Sequence, residues 1–97
     1  MLFRSQSFQF ASMDFNFLLL SDHALLGHAI DRVTVVEEFE CQLKCMENNS
    51  CKSVNVHPDG NNAQQRICEL NNKTRQMKPG DFKWKKGSAY YGSVQVS

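Results

Sequence analysis

Four cysteines at positions 41, 45, 51 and 68 of a 97-residue chain restrict what it can fold into more than any other feature. A domain this short buries only about 60–65% of the surface its unfolded chain exposes, so a cross-link or a metal must add to a marginal core. An even count permits two disulfides in three connectivities. Differences in loop entropy among those connectivities stay below about 1 kcal/mol and do not choose. Geometry does choose. Cys41 and Cys45, one helical turn apart, have Cβ atoms about 5–6 Å apart, beyond the ~3.5–4.5 Å a disulfide needs. Each must find Cys51 or Cys68. Cys45 at the helix end is the natural partner of Cys51 just past the turn, which leaves Cys41 for Cys68.

A structural zinc site, built from all four cysteines or from three plus His57, is the competing reading. Such sites hold ligands as C-x₂₋₄-C pairs on tight knuckles, and the second pair is replaced here by widely separated cysteines. A buried set of unlinked thiols is the third reading. Thiol catalysis finds no support, because there is no C-x-x-C motif and no His placed by sequence to activate a nucleophile.

Hydrophobic patterning divides the rest of the chain. Residues 1–13 read as a leader or frayed N-terminal segment, and residues 14–97 as one domain. Arg4 offers a basic n-region, but Gln6, Gln9, Asp14 and Asn16 interrupt any signal-peptide core, so the chain is read as an excised module or an incomplete gene model. Phe15 and Phe17 alternate around Asn16, and Leu25 to Ile30 reads as a second extended segment. Thr34 and Glu37 form a T-x-x-E capping box, which predicts a helix from there to about residue 47. On it Val35, Val36, Phe39, Leu43 and Met46 make one stripe, with Cys41 and Cys45 almost opposite, so the helix is expected to be covered on two sides. Ser53 to His57 and Ile67 to Asn71 alternate as a hairpin with a long tip. Lys78-Pro79-Gly80-Asp81 marks a turn, and Ala89 to Val94 supplies a closing strand.

Charge is uneven along the chain. Residues 1–65 hold four basic and eight acidic side chains, a net of −4, while residues 66–97 hold seven basic and two acidic, a net of +5. Arg66, Lys73, Arg75, Lys78, Lys83, Lys85 and Lys86, with Trp84 among them, are therefore the candidate ligand-binding residues, suited to a sulfated glycan or an acidic protein surface. The bland alternative is a solvated loop with Trp84 as a half-buried anchor. A formal net charge of +1 excludes a globally basic nucleic-acid binder. The longest apolar run, Phe17 to Leu20, is far short of the ~20 residues of a membrane helix. Asn48-Asn49-Ser50 and Asn72-Lys73-Thr74 make Asn48 and Asn72 candidate glycan acceptors in a secreted chain. His28 reads as a structural residue bonded to backbone, and His57 before Pro58 as a turn residue. Glu37, Glu38 and Glu40 are explained by capping and by the helix dipole. No nucleophile elbow, phosphate loop or dinucleotide fingerprint is present, so no enzyme activity and no cofactor is expected.

Glu40-Cys41-Gln42-Leu43-Lys44-Cys45, then Asn49-Ser50-Cys51-Lys52-Ser53-Val54-Asn55-Val56, then Ile67-Cys68-Glu69-Leu70-Asn71-Asn72 together resemble the PAN/apple domain family. The resemblance reaches upstream through His23 to Ile30 and covers about Phe15 to Val94. It implies an α+β fold, an antiparallel β-sheet wrapped around a single α-helix, with disulfides Cys41–Cys68 and Cys45–Cys51. It also implies an extracellular module of a larger protein that binds protein or carbohydrate. The chain lacks the outer cysteine pair of the six-cysteine apple version. Two other classes remain as alternatives, a small zinc-stabilised intracellular interaction domain and a secreted inhibitor or toxin-like peptide.

Overall fold

The computed structural model describes residues 17–93. The leader expected at residues 1–13, Phe15 and Val94 lie outside the described residues. In chain order the elements are β1 (Phe17–Leu25), β2 (Ala29–Val35), α1 (Glu38–Met46), β3 (Ser53–Pro58), β4 (Arg66–Asn71), a 3₁₀ turn at Pro79–Asp81 and β5 (Phe82–Ser93). The strands form one antiparallel sheet in the order β1-β5-β3-β4-β2.

That order puts two consecutive strands, β1 and β2, at opposite edges. Four inter-strand spacings would separate the edges of a flat sheet by about 19 Å. The link from Leu25 to Ala29 spans at most about 14 Å when fully stretched. The sheet must therefore curl. Its corner lies where β1 shifts register between Ser21 and His23, facing the part of β5 around Gly87. Gly87 and Asp22 both take positive φ there, +87° and +59°, and the Asp22 carboxylate accepts the Gly87 N–H at 2.8 Å. Ala24, Leu25 and Tyr90 are buried outside the main core, and the Phe82 ring beyond the corner meets Tyr90 edge to face at 5.0 Å between centroids. Tyr90 folds over Gly92, where a Cβ would lie 2.5 Å from its hydroxyl oxygen, so this strand position requires glycine.

Helix α1 lies against β3 and β4. Cys41 joins Cys68 of β4, closing a separation of 27 residues, and Cys45 joins Cys51, closing one of six. The zinc reading fails here, because all four sulfurs are engaged in disulfides and no free cysteine remains to offer a thiolate. With Val35, Val54, Val56 and Leu70, the cysteines form the main core. Tyr91 of β5 donates its hydroxyl to Glu38 at the helix start. Burial first, then that carboxylate, pushes the Tyr91 phenol up to about 12.

Three local expectations are corrected. Leu25 to Ile30 is not one extended segment, because Leu26, Gly27 and His28 make the turn between β1 and β2, with Gly27 at φ +86°. Thr34 does not cap the helix. It stays in β2 opposite Ile67, since continuing the strand buries Val35 in the core. The cap falls on Glu37, and the Glu40 carboxylate reaches back to accept the N–H groups of Glu37 at 2.9 Å and Val36 at 2.8 Å. Those bonds hold the Glu40 carboxyl below its ordinary value. Finally, α1 is packed on one side among the described residues. The cysteine stripe faces the sheet because Cys41 is bonded to it, which turns Phe39 outward at 53% exposure, while Val36 falls in the bend before α1 at 60%.

Replacing each disulfide as a pair should rank the two by loop length. Cys41→Ala with Cys68→Ala is expected to cost about 3–4 kcal/mol and Cys45→Ala with Cys51→Ala about 2 kcal/mol, read from urea denaturation midpoints. Equal losses would show that the helix-to-sheet bond does not dominate.

Candidate functional site

The alternation along β3 and β4 that sends Val54, Val56, Cys68 and Leu70 toward α1 sends Asn55, His57 and Glu69 to the other face. There a continuous polar chain crosses the sheet. Asn55, fully buried, accepts the N–H of Leu25 at 2.9 Å and donates to its carbonyl at 2.7 Å. Both backbone groups at the end of β1 are thus satisfied by one side chain from the centre of the sheet. The Asn55 amide also donates to Glu69 Oε1 at 3.1 Å. The same oxygen lies 2.8 Å from His57 Nε2, and Ser88 Oγ lies 2.6 Å from His57 Nδ1. Arg32 of β2 approaches the other carboxylate oxygen at 3.6 Å.

These partners determine the protonation of the cluster. The hydrogen bond from His57 lowers the Glu69 carboxyl to about 2, with Asn55 and the charges of His57 and Arg32 adding to it and desolvation opposing. An ionised Glu69 can only accept, so Nε2 of His57 carries a proton. In the neutral imidazole Nδ1 then accepts the Ser88 hydroxyl. The connectivity Ser88, His57, Glu69 is that of a nucleophile relay, but Ser88 is only 3% exposed on a paired strand. The neighbouring Gly87 N–H is committed to Asp22. The cluster is a satisfied polar network.

Above it opens a cleft of about 460 Å³. Its floor is His57, Glu69 and Ser88, and its rim carries Arg32, Lys85 and Lys86. Leu26, Ala29, Pro58 and Ile67 supply an apolar wall. The corner at Gly87 is what brings the lysines of β5 to this rim.

The candidate basic residues are distributed unevenly. Lys85 and Lys86 line the cleft, and Lys83 and Trp84 precede them on the stretch of β5 paired with Ala24 and His23. Trp84 is 66% exposed rather than half-buried. Arg75 is tied elsewhere, its N–H donating to the Tyr90 hydroxyl at 2.9 Å and its guanidinium 5.9 Å from the Phe82 ring centroid. Lys73 accepts the Ser53 hydroxyl at its carbonyl, Lys78 precedes the 3₁₀ turn, and Arg66 lines a different cleft beside Glu38. Asn48 lies partly exposed inside the short disulfide loop, its side chain accepting the Ser50 N–H at 2.9 Å. Asn72 is also partly exposed, its N–H bonded to the His28 carbonyl at 3.1 Å. His28 pairs with the Asp81 carboxylate at 2.8 Å rather than with backbone.

His57 is not a turn residue but the centre of the floor, and Arg32, Glu69 and Ser88 were missed as site residues. The available signal was the alternation itself. With Val54, Val56, Cys68 and Leu70 on one face, Asn55, His57 and Glu69 must share the other.

A sequence model of the PAN domain matches residues 14–95, most of the chain. Comparison with curated proteins and with solved structures finds no match.

Glu69 makes the fold acid-sensitive in a defined window. Its folded pKa of about 2 lies below the ordinary 4.5, so its contribution is fully present above the ordinary value and is lost as pH falls through about 2. Glu69→Gln should cost about 1–3 kcal/mol near neutral pH and flatten the acid limb, as read by urea titrations repeated across that window.

Proposed function

The chain belongs to the PAN domain family, and we propose that it is an extracellular binding module that holds a protein or carbohydrate partner as part of a larger protein. PAN domains are protein- and carbohydrate-binding modules. The two disulfides support the extracellular placement, because such bonds persist in oxidising compartments and are reduced in the cytosol. No helix among the described residues is long and apolar enough to cross a membrane.

The observation that carries the reading is the stretch Lys83-Trp84-Lys85-Lys86 on β5, three cations adjacent in sequence to an aromatic residue left 66% exposed. Lys83, Lys85 and Lys86 make no ion pair among the described residues, while a large exposed aromatic offers a flat apolar face. Cations flanking such a ring suit a sulfated glycan, where charge attracts and the ring stacks on sugar C–H groups. Asn48 and Asn72 fit the same placement as acceptors of the module's own glycans.

Retention on immobilised heparin tests this. The folded chain should elute at elevated salt, and Lys83→Glu, Lys85→Glu and Lys86→Glu together should move elution to low salt with an unchanged circular dichroism spectrum. Low-salt elution of the unaltered folded chain would count against a sulfated partner.

A further inference from the structure

We propose that the cleft between the β1–β2 turn and β5 binds one acidic sugar unit of a saccharide, and that His57 couples its occupancy to pH. This rests on the binding-module reading above and assigns it a pocket, a ligand class and a regulation.

The ligand class follows from the lining. Arg32, Lys85 and Lys86 converge on one opening, and only Arg32 has an acidic partner among the described residues, at 3.6 Å. The one carboxylate in the floor, Glu69, is already met by His57, Asn55 and Arg32. Its charge is therefore compensated locally, and the lysines remain available to an incoming anion. The apolar wall of Leu26, Ala29, Pro58 and Ile67 would be wasted on a bare inorganic ion, but it suits the C–H face of a sugar ring. A volume of about 460 Å³ falls within the range of small-ligand sites. The shared chemistry is a ring bearing sulfate or carboxylate.

The pH coupling follows from the hydrogen bonds. While His57 is neutral, its Nδ1 accepts the Ser88 hydroxyl proton, and that proton is not available to a ligand. When His57 takes a second proton, both ring nitrogens donate, Nε2 to Glu69 and Nδ1 to Ser88 Oγ. The Ser88 hydroxyl hydrogen is then released toward the cleft, and the floor gains a positive charge. Both changes favour an anion. The charged groups around the imidazole are Glu69 from β4, Arg32 from β2, and Lys85 and Lys86 from β5. Histidine is the side chain whose charge ordinarily changes between about pH 5 and 8, so occupancy should rise as pH falls across that range.

The test uses the full disulfide-bonded chain and a sulfated uronate disaccharide, with its desulfated, carboxyl-reduced counterpart as control. Binding is followed by calorimetry and by amide shifts at about pH 7.5 and about pH 5.5. The charged disaccharide should bind about tenfold tighter at the lower pH, the neutral one should not bind, and shifts should centre on Arg32, His57, Glu69 and Ser88. Arms carrying sulfate alone or carboxylate alone identify which anion is read. His57→Gln should abolish the pH dependence while leaving residual binding, Ser88→Ala should only reduce it, and Arg32→Ala should weaken binding at both pH values. Shifts confined to Lys83 and Trp84 would overturn the cleft assignment and leave the module reading intact. Tighter binding of an acidic peptide in the same cleft would overturn the saccharide assignment. A pH response that survives His57→Gln would overturn the coupling, and failure of both saccharide and peptide to bind would remove this inference, while heparin retention decides the module reading separately.

Discussion

The bond between Cys41 and Cys68 sets the orientation on which the rest of the domain depends. It anchors the middle of α1 to the middle of β4, and so decides which stripe of the helix meets the sheet. Hydrophobicity alone would have turned Phe39, Leu43 and Met46 inward. The covalent link overrides that preference, because cysteine, itself among the most buried residue types, brings its own stripe to the core. Once Cys68 faces α1, the pleat forces Glu69 to the opposite side and places Leu70 beneath the helix. The apolar core and the polar cleft are thus two faces of one register, and a one-residue slip in β4 would exchange them.

The opposite face is held by polar groups rather than by oil. Asn55 reaches from the central strand to the backbone of Leu25, and Glu69, His57 and Ser88 continue the chain across β4, β3 and β5. Buried polar groups of this kind are worth their desolvation only when all are satisfied together. Here each member serves its neighbour: His57 keeps Glu69 ionised, and ionised Glu69 fixes the tautomer of His57. A network that must be complete to be stable is also one whose protonation alters what it presents at the surface.

Much of the architecture was legible in the residues. The hairpin of β3 and β4 was visible as two alternating runs around a turn-rich tip, and the cysteine spacing with its flanking strands carried the family. The N-terminus of the helix was not read correctly, because Thr34 and Glu37 satisfy a capping pattern that the pairing of Thr34 with Ile67 outweighs. Nor could a local reading see that Leu26 to His28 must join opposite edges of the sheet, since edge position is a property of the whole topology. The basic residues were legible as charge but not as a site. Arg32 lies more than fifty residues from Lys85 and reaches it only through the curl of the sheet. His57 looked like a turn residue because Pro58 follows it, and only the partners contributed by β4 and β5 reveal its role.

The first and last strands carry a mechanical consequence. Phe17 lies opposite Ser93, so the first and last described residues sit side by side on the same ladder. A longer polypeptide carrying this module would enter and leave it at one point, leaving the domain as a pendant bead that adds almost nothing to the contour. Tension along such a polypeptide would peel β1 from β5 rung by rung, like a zipper opened from its free end, while the disulfide-bonded centre stayed out of the line of force.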